Sequence, residues 1–155
     1  MTDNLKDSLK VEFLEWCEKD GFNQYQLKII KKGLKDLTVE QVSLYAMHKF
    51  DVNQMDEIRL GLRDGLCSEL VQFYAREEFE WFQMGQIRLG FLNGLTREQV
   101  EVFAKPEFRY AQMKEIRVGL ENGLSIQWVR GYAKPEISWG EMRARRLALE
   151  ERFGK

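Results

Sequence analysis

The sequence predicts an all-α fold: a right-handed-type α-solenoid of tandem ~29-residue helical hairpins with an N-terminal capping helix. Three observations carry that expectation. QMDEIRLGLRDGL begins at Gln54, QMGQIRLGFLNGL at Gln83 and QMKEIRVGLENGL at Gln112, so one unit recurs every 29 residues. Within the unit, apolar residues keep helical spacing, as Met55, Ile58 and Leu62 do at i, i+3 and i+7. Each unit also reads as two short helices, and isolated helices below roughly 12–15 residues are marginal in water. Such hairpins survive by sharing an apolar seam with the hairpins beside them.

The elements follow in order. Residues 1–21 resemble no unit and read as a cap, with a helical stretch from Leu5 to Lys19. Repeats occupy 22–50, 51–79, 80–108 and 109–137, and 138–155 reads as a C-terminal half-repeat within one helical repeat domain, 1–155. In the first copy Gln26, Ile30, Gly33 and Leu34 stand 28 residues before their counterparts, because Asp36-Leu37 replaces the later Asp64-Gly65-Leu66. Val71, Val100 and Val129 correspond, as do Tyr74, Phe103 and Tyr132, and then Phe79, Phe108 and Ile137.

The first helix of each unit is expected to start at an N-cap such as Asn23, Asp51 or Ser138, with Glu80 and Arg109 as poor caps in the third and fourth copies. It should stop at Asp64-Gly65, Asn93-Gly94 and Asn122-Gly123, where glycine takes the left-handed conformation that closes a helix. The second helix starts at Thr38, Cys67, Thr96 or Ser125 and is expected to run about nine residues. Lys105-Pro106 and Lys134-Pro135 are expected to close it. Gly61, Gly90 and Gly119 sit inside the first helices, where glycine costs about 1 kcal/mol against alanine. Their recurrence points to close helix approach; shared ancestry of the copies is the alternative.

Composition bounds the function. With 24 basic and 25 acidic side chains the net charge is -1, so no global field draws the chain to nucleic acid or anionic lipid. Cys17 and Cys67 are too few for a disulfide framework, and no stretch approaches the roughly 20 apolar residues of a membrane span. The expected setting is cytoplasmic, without membrane association. Catalysis is not expected. His48 is the only histidine, nothing in the sequence places Cys17 or Cys67 beside it, and the glycines of GLRDGL and GLENGL are helix ends and not a phosphate loop. No metal or cofactor is implied.

Two sets of residues are candidates for binding. Arg59, Arg88, Arg117 and Arg146 form a column, one per unit. They read either as bridges to acids of the next hairpin, Glu78, Glu107 or Glu136, or as an open row of donors for phosphate or an acidic partner. Trp81, Tyr110 and Trp139 recur at the start of the first helix; they read as staples against the preceding unit, with a binding hot spot as the alternative. Phe82 breaks the repeat pattern and reads as an exposed apolar contact. Charge alternates along the chain, +3 over 22–50 (five lysines, two acids), -4 over 51–79 (seven acids, three arginines) and +2 over 138–155. That alternation suits a protein partner better than the continuous basic track a nucleic acid needs.

YAKPEISWGEM, preceded by FAKPEFRYAQMKEIRVGLENGL, resembles a tandem helical repeat of uncharacterised Firmicutes proteins, many from gut bacteria and their mobile elements. The shared motifs are the Ala-Lys-Pro-Glu-Phe turn, Gln-Met-x-Glu-Ile-Arg and Gly-Leu-x-x-Gly-Leu, over roughly Phe22 to Leu149. Proline is missing from the turn at Met47-His48-Lys49-Phe50 and at Arg76-Glu77-Glu78-Phe79, so those junctions are expected to be less rigid. The resemblance implies no activity and no catalytic residue. The expected function is a non-catalytic protein-binding repeat module, an adaptor or inhibitor. The alternatives are nucleic-acid binding or mimicry through the arginine column and the basic C-terminal helix, and architectural self-association; the oligomeric state stays open.

Overall fold

A computed structural model describes residues 2–154. Among these the chain is all-α, with ten helices: α1 Asp3–Lys19, α2 Gln24–Asp36, α3 Val39–Ser43, α4 Val52–Arg63, α5 Ser68–Tyr74, α6 Trp81–Leu92, α7 Arg97–Glu101, α8 Tyr110–Glu121, α9 Ile126–Arg130 and α10 Trp139–Phe153. They group into two compact units, Met1–Glu77 and Glu78–Lys155. In the first, α1 packs on α2 and α3, α2 pairs with α3 and α4, and α4 with α5. In the second, α6 pairs with α7 and α8, and α8 with α9 and α10. Each unit is thus a run of helical hairpins, with long first helices side by side and a short second helix folded back on each.

The seam is the one the periodicity marks. Met55, Met84, Met113 and Met142 are fully buried, as are Ile30, Ile58, Ile87 and Ile116. The second helices contribute Val42, Val71, Val100 and Val129, also fully buried. Burial of such side chains is worth about 1.5–3 kcal/mol each, and it holds together helices that have no independent stability.

Glycine inside the first helix has a specific cause. The hydroxyls of Tyr45, Tyr74 and Tyr132 occupy the space that a Cβ at Gly33, Gly61 and Gly119 would fill. Each hydroxyl donates to a carbonyl of the facing first helix, Tyr45 to Ile29 at 3.2 Å, Tyr74 to Glu57 at 3.3 Å and Tyr132 to Glu115 at 3.3 Å. The recurring glycine is therefore a socket for a phenol from the next helix. Burial pushes the Tyr45 and Tyr132 phenols well above their usual pKa range, so both remain neutral donors. In the third repeat Phe103 replaces tyrosine and its Cζ would lie 2.9 Å from a Cβ at Gly90.

The helix ends follow the expected chemistry. Gly65, Gly94 and Gly123 have φ of +96°, +90° and +93°. The Leu66, Leu95 and Leu124 amides each donate to the carbonyl of the interior glycine, at 3.0 Å in all three, which is the Schellman pattern. The second helices, however, span only five or seven residues, not nine. Their last turns tighten: the Tyr45 amide bonds Val42 and the Phe103 amide bonds Val100, three residues back. Helices α7 and α9 accordingly stop before the prolines, which sit one step inside the following turn. There the Phe108 amide donates to Lys105 at 3.1 Å and the Ile137 amide to Lys134 at 3.0 Å. The first copy forms the same turn without proline, Phe50 to Met47 at 3.1 Å.

Candidate functional site

The arginine column lies in the fold and not on its surface. Arg59, Arg117 and Arg146 are buried and Arg88 is half-buried. Arg117 Nε donates to Gln86 Oε1 at 3.0 Å, and its Nη1 grips both oxygens of Glu121 at 2.7 and 2.8 Å. One repeat later Arg146 Nε donates to Glu115 Oε2 at 2.8 Å, and its Nη1 grips Glu150 at 2.8 and 3.0 Å. Asn93 adds a 2.9 Å bond to Glu121, and Asn122 another of 2.9 Å to Glu150. Arg117 and Arg146 do bridge hairpins, but through Gln86 and Glu115 on the preceding first helix. They do not use the turn acids Glu107 and Glu136. A residue two places before an arginine points away from it on the same helix, and therefore toward the arginine of the next hairpin, 31 residues on. Burial opposes the charge of Arg146, yet its hydrogen bonds to Glu150 and Glu115 outweigh that and hold its pKa above the usual value.

Arg59 is held differently. Ile29 stands where Gln86 and Glu115 stand in later repeats, so Arg59 finds no acceptor in the side chain at that position. It turns instead to Asp56 on its own helix, Nε to Oδ1 at 2.8 Å. At the other end, Ala144 occupies the position equivalent to Glu115 and Glu151 that of Asn122, so α10 offers no further rung.

The recurring glutamine is a functional part of the repeat that sequence reasoning left without a role. In all four copies its Oε1 accepts from the amide of its own N-cap residue, Asn23, Asp51, Glu80 or Arg109, at 2.8–3.0 Å. Its Nε2 reaches to the end of the same repeat. Gln26 bonds the Phe50 carbonyl at 3.2 Å and Gln54 that of Glu77 at 3.3 Å. Gln83 bonds Pro106 and Phe108, at 3.0 and 2.6 Å, and Gln112 bonds Pro135 and Ile137, at 2.9 and 2.7 Å. One side chain thus closes each hairpin and orients the turn that launches the next helix. It also explains how Glu80 and Arg109 serve at helix starts, since the glutamine supplies half of a capping box. The signal was present in the strict recurrence of glutamine three places into each first helix.

The aromatic row is the surface that remains. Trp81, Phe82, Tyr110 and Trp139 are 36%, 42%, 52% and 52% exposed. Trp81 and Phe82 are in ring contact with centroids 3.7 Å apart, and Phe82 reaches Tyr110 at 5.5 Å. Trp81 keeps about a third of its surface open, and Tyr110 and Trp139 about half. All four belong to the second unit. Phe82, Tyr110 and Trp139 line one cavity of about 580 Å³ with Pro106. Its rim carries Glu78, Glu80 and Glu107 against a single cation, Arg109. Helix geometry sets the row: these residues occupy the first or second position of α6, α8 and α10, so stacking the first helices aligns them.

The remaining candidates are dispersed. His48 is exposed, stacks on Phe22 with centroids 4.1 Å apart, and bonds Asp20 Oδ2 at 2.8 Å, tying the cap to the first repeat. Cys17 is fully buried, and burial, with Asp20 and Glu18 nearby, pushes its thiol up to about 11. Cys67 is exposed at the start of α5. Among the described residues no group of three or more His, Cys, Asp and Glu side chains is placed to hold a metal ion, and no helix is long and apolar enough to cross a membrane.

The geometry defines a class, an all-α tandem helical-repeat protein. Comparison with protein-family models, with curated proteins and with solved structures finds no match to this chain.

Proposed function

We propose that this chain is a non-catalytic protein-binding helical-repeat module, acting in the cytoplasm as an adaptor or inhibitor, with the aromatic row of the second unit as its recognition surface. One observation carries the reading: Trp81, Phe82, Tyr110 and Trp139 stay open along one edge, while the arginines that would have served a phosphate backbone are drawn into the fold. Exposed tryptophan and tyrosine at a concave surface are the residues from which binding hot spots are built, because they bury large area at small entropy cost. The acids around the groove speak against nucleic acid, whose single-stranded binding sites combine stacking rings with a basic track. The mobile-element resemblance fits a small inhibitor of a host protein.

The test is native affinity capture on the immobilised chain, run in parallel with a Phe82→Ala/Tyr110→Ala variant. A stoichiometric protein that binds the parent and is lost from the variant is the expected result. Retention of nucleic acid in place of protein, or a partner indifferent to the aromatic residues, overturns the reading.

A further inference from the structure

The groove of the second unit also specifies the chemistry of what it receives, an inference that rests on the protein-binding reading above. We infer that its occupant is an extended, cationic peptide segment, whose arginine or lysine side chains lie on the rings of Phe82, Tyr110 and Trp139.

Three features converge on that ligand. The floor is aromatic and open: three half-exposed rings and Pro106 line a cavity of about 580 Å³, room for several side chains and not for a folded domain. The lining is acidic, with Glu80 and Glu107 against Arg109, so a cation entering the groove meets an excess of carboxylate and an anion is repelled. The ring faces supply a second attraction of the same sign, since the negative face of an aromatic ring holds an ammonium or guanidinium within about 6 Å of its centre. The one side-chain amide in the lining is spent: Gln83 gives its Nε2 protons to the Pro106 and Phe108 carbonyls. Recognition therefore falls to stacking and charge, which favours side chains that are both flat or long and positive.

The contrast with a neutral apolar ligand is what the charge decides. An uncharged proline-rich segment would use the rings but gain nothing from Glu80 and Glu107. A single-stranded nucleic acid would use the rings and lose against the same carboxylates.

The experiment uses the full chain and three fluorescein-labelled peptides of one length, in which proline alternates with arginine, with citrulline or with glutamate. Fluorescence anisotropy is expected to show binding of the arginine peptide, about tenfold weaker binding of the citrulline peptide and none of the glutamate peptide, tenfold being about 1.4 kcal/mol. Affinity for the arginine peptide should fall several-fold from low to moderate salt. Glu80→Gln/Glu107→Gln should weaken it and flatten that salt response, and Phe82→Ala/Tyr110→Ala should abolish most of it while the thermal melt holds. Equal binding of the arginine and citrulline peptides, or failure of the arginine peptide to bind at all, overturns the cationic inference. Neither outcome touches the protein-binding reading, which fails if a captured partner ignores the aromatic residues or if nucleic acid is retained in place of protein. Displacement of the arginine peptide by a short oligouridine overturns both.

Discussion

The two units are built from one repeat, yet they put polar chemistry in different places. In the first, Lys28, Lys32 and Lys35 of α2 lie exposed, and Arg59 pairs only with Asp56 of its own helix. In the second, two arginines each take a neutral or acidic acceptor from the preceding hairpin and a bidentate carboxylate from their own. The start of the first helix diverges in parallel. The first unit has Gln24-Tyr25 and Val52-Asn53 there, the second Trp81-Phe82, Tyr110 and Trp139. A cavity of the first unit, about 380 Å³ between α1 and the α2–α3 turn, is lined by Leu9, Leu37 and Val39 without an aromatic ring. The difference teaches that the buried seam is common to both units while the column and the edge vary: the second unit ties its hairpins through Arg117 and Arg146, and that same unit lines a groove with Phe82, Tyr110 and Trp139.

The largest effect expected on that contrast comes from the glycine sockets. Gly61→Ala in the first unit and Gly119→Ala in the second should each cost about 3 kcal/mol, since a methyl displaces a buried tyrosine hydroxyl and strands its hydrogen bond. Gly90→Ala, whose methyl crowds the Phe103 ring edge and touches Leu95 and Val100 but displaces no hydroxyl, should cost about 1 kcal/mol after the gain in helix propensity. Urea titrations of the three variants check the order. Equal losses at all three would show that overpacking, and not the phenol, sets the cost.

Next in size is the arginine ladder. Arg146→Met leaves Glu115 and Glu150 without their cation in a largely buried setting and should cost about 3 kcal/mol. Arg59→Met should cost about 1 kcal/mol, because its partner Asp56 keeps more than a third of its side chain in water. A first unit as sensitive as the second would break the comparison.

The glutamine clasps should fall below the ladder. Gln112→Leu removes bonds to two turn carbonyls and Gln26→Leu to one, so losses of about 2 and 1 kcal/mol are expected. Amide exchange at Ile137 and Phe50 reads out each turn separately.

Smallest is the cysteine pair of the first unit. With its pKa raised from 9.0 to about 11, Cys17 stays a thiol through neutral pH, and its contribution to stability is present below about pH 9 and lost as pH rises through 11. A thiol reagent at mild alkaline pH should therefore label one sulfur per native chain, Cys67, and reach the second only on unfolding.

Much of this architecture was legible in the chain. Met55, Met84 and Met113 are buried because a 3.6-residue period leaves them on one face, and Gly65, Gly94 and Gly123 end their helices because only glycine adopts positive φ without strain. These are local or periodic constraints, and a sequence states them directly. The length of the second helices was not legible, because an i+3 tightening near Tyr45 and Phe103 leaves no mark in residue type. Nor were the partners of the arginines. Which side chain lies opposite Arg146 depends on how far one helix slides along its neighbour, and that offset is set by the packing of whole hairpins. The same offset places Phe82 5.5 Å from Tyr110, so the aromatic residues could be named from the sequence while their joining into one acid-rimmed groove waited on the tertiary structure.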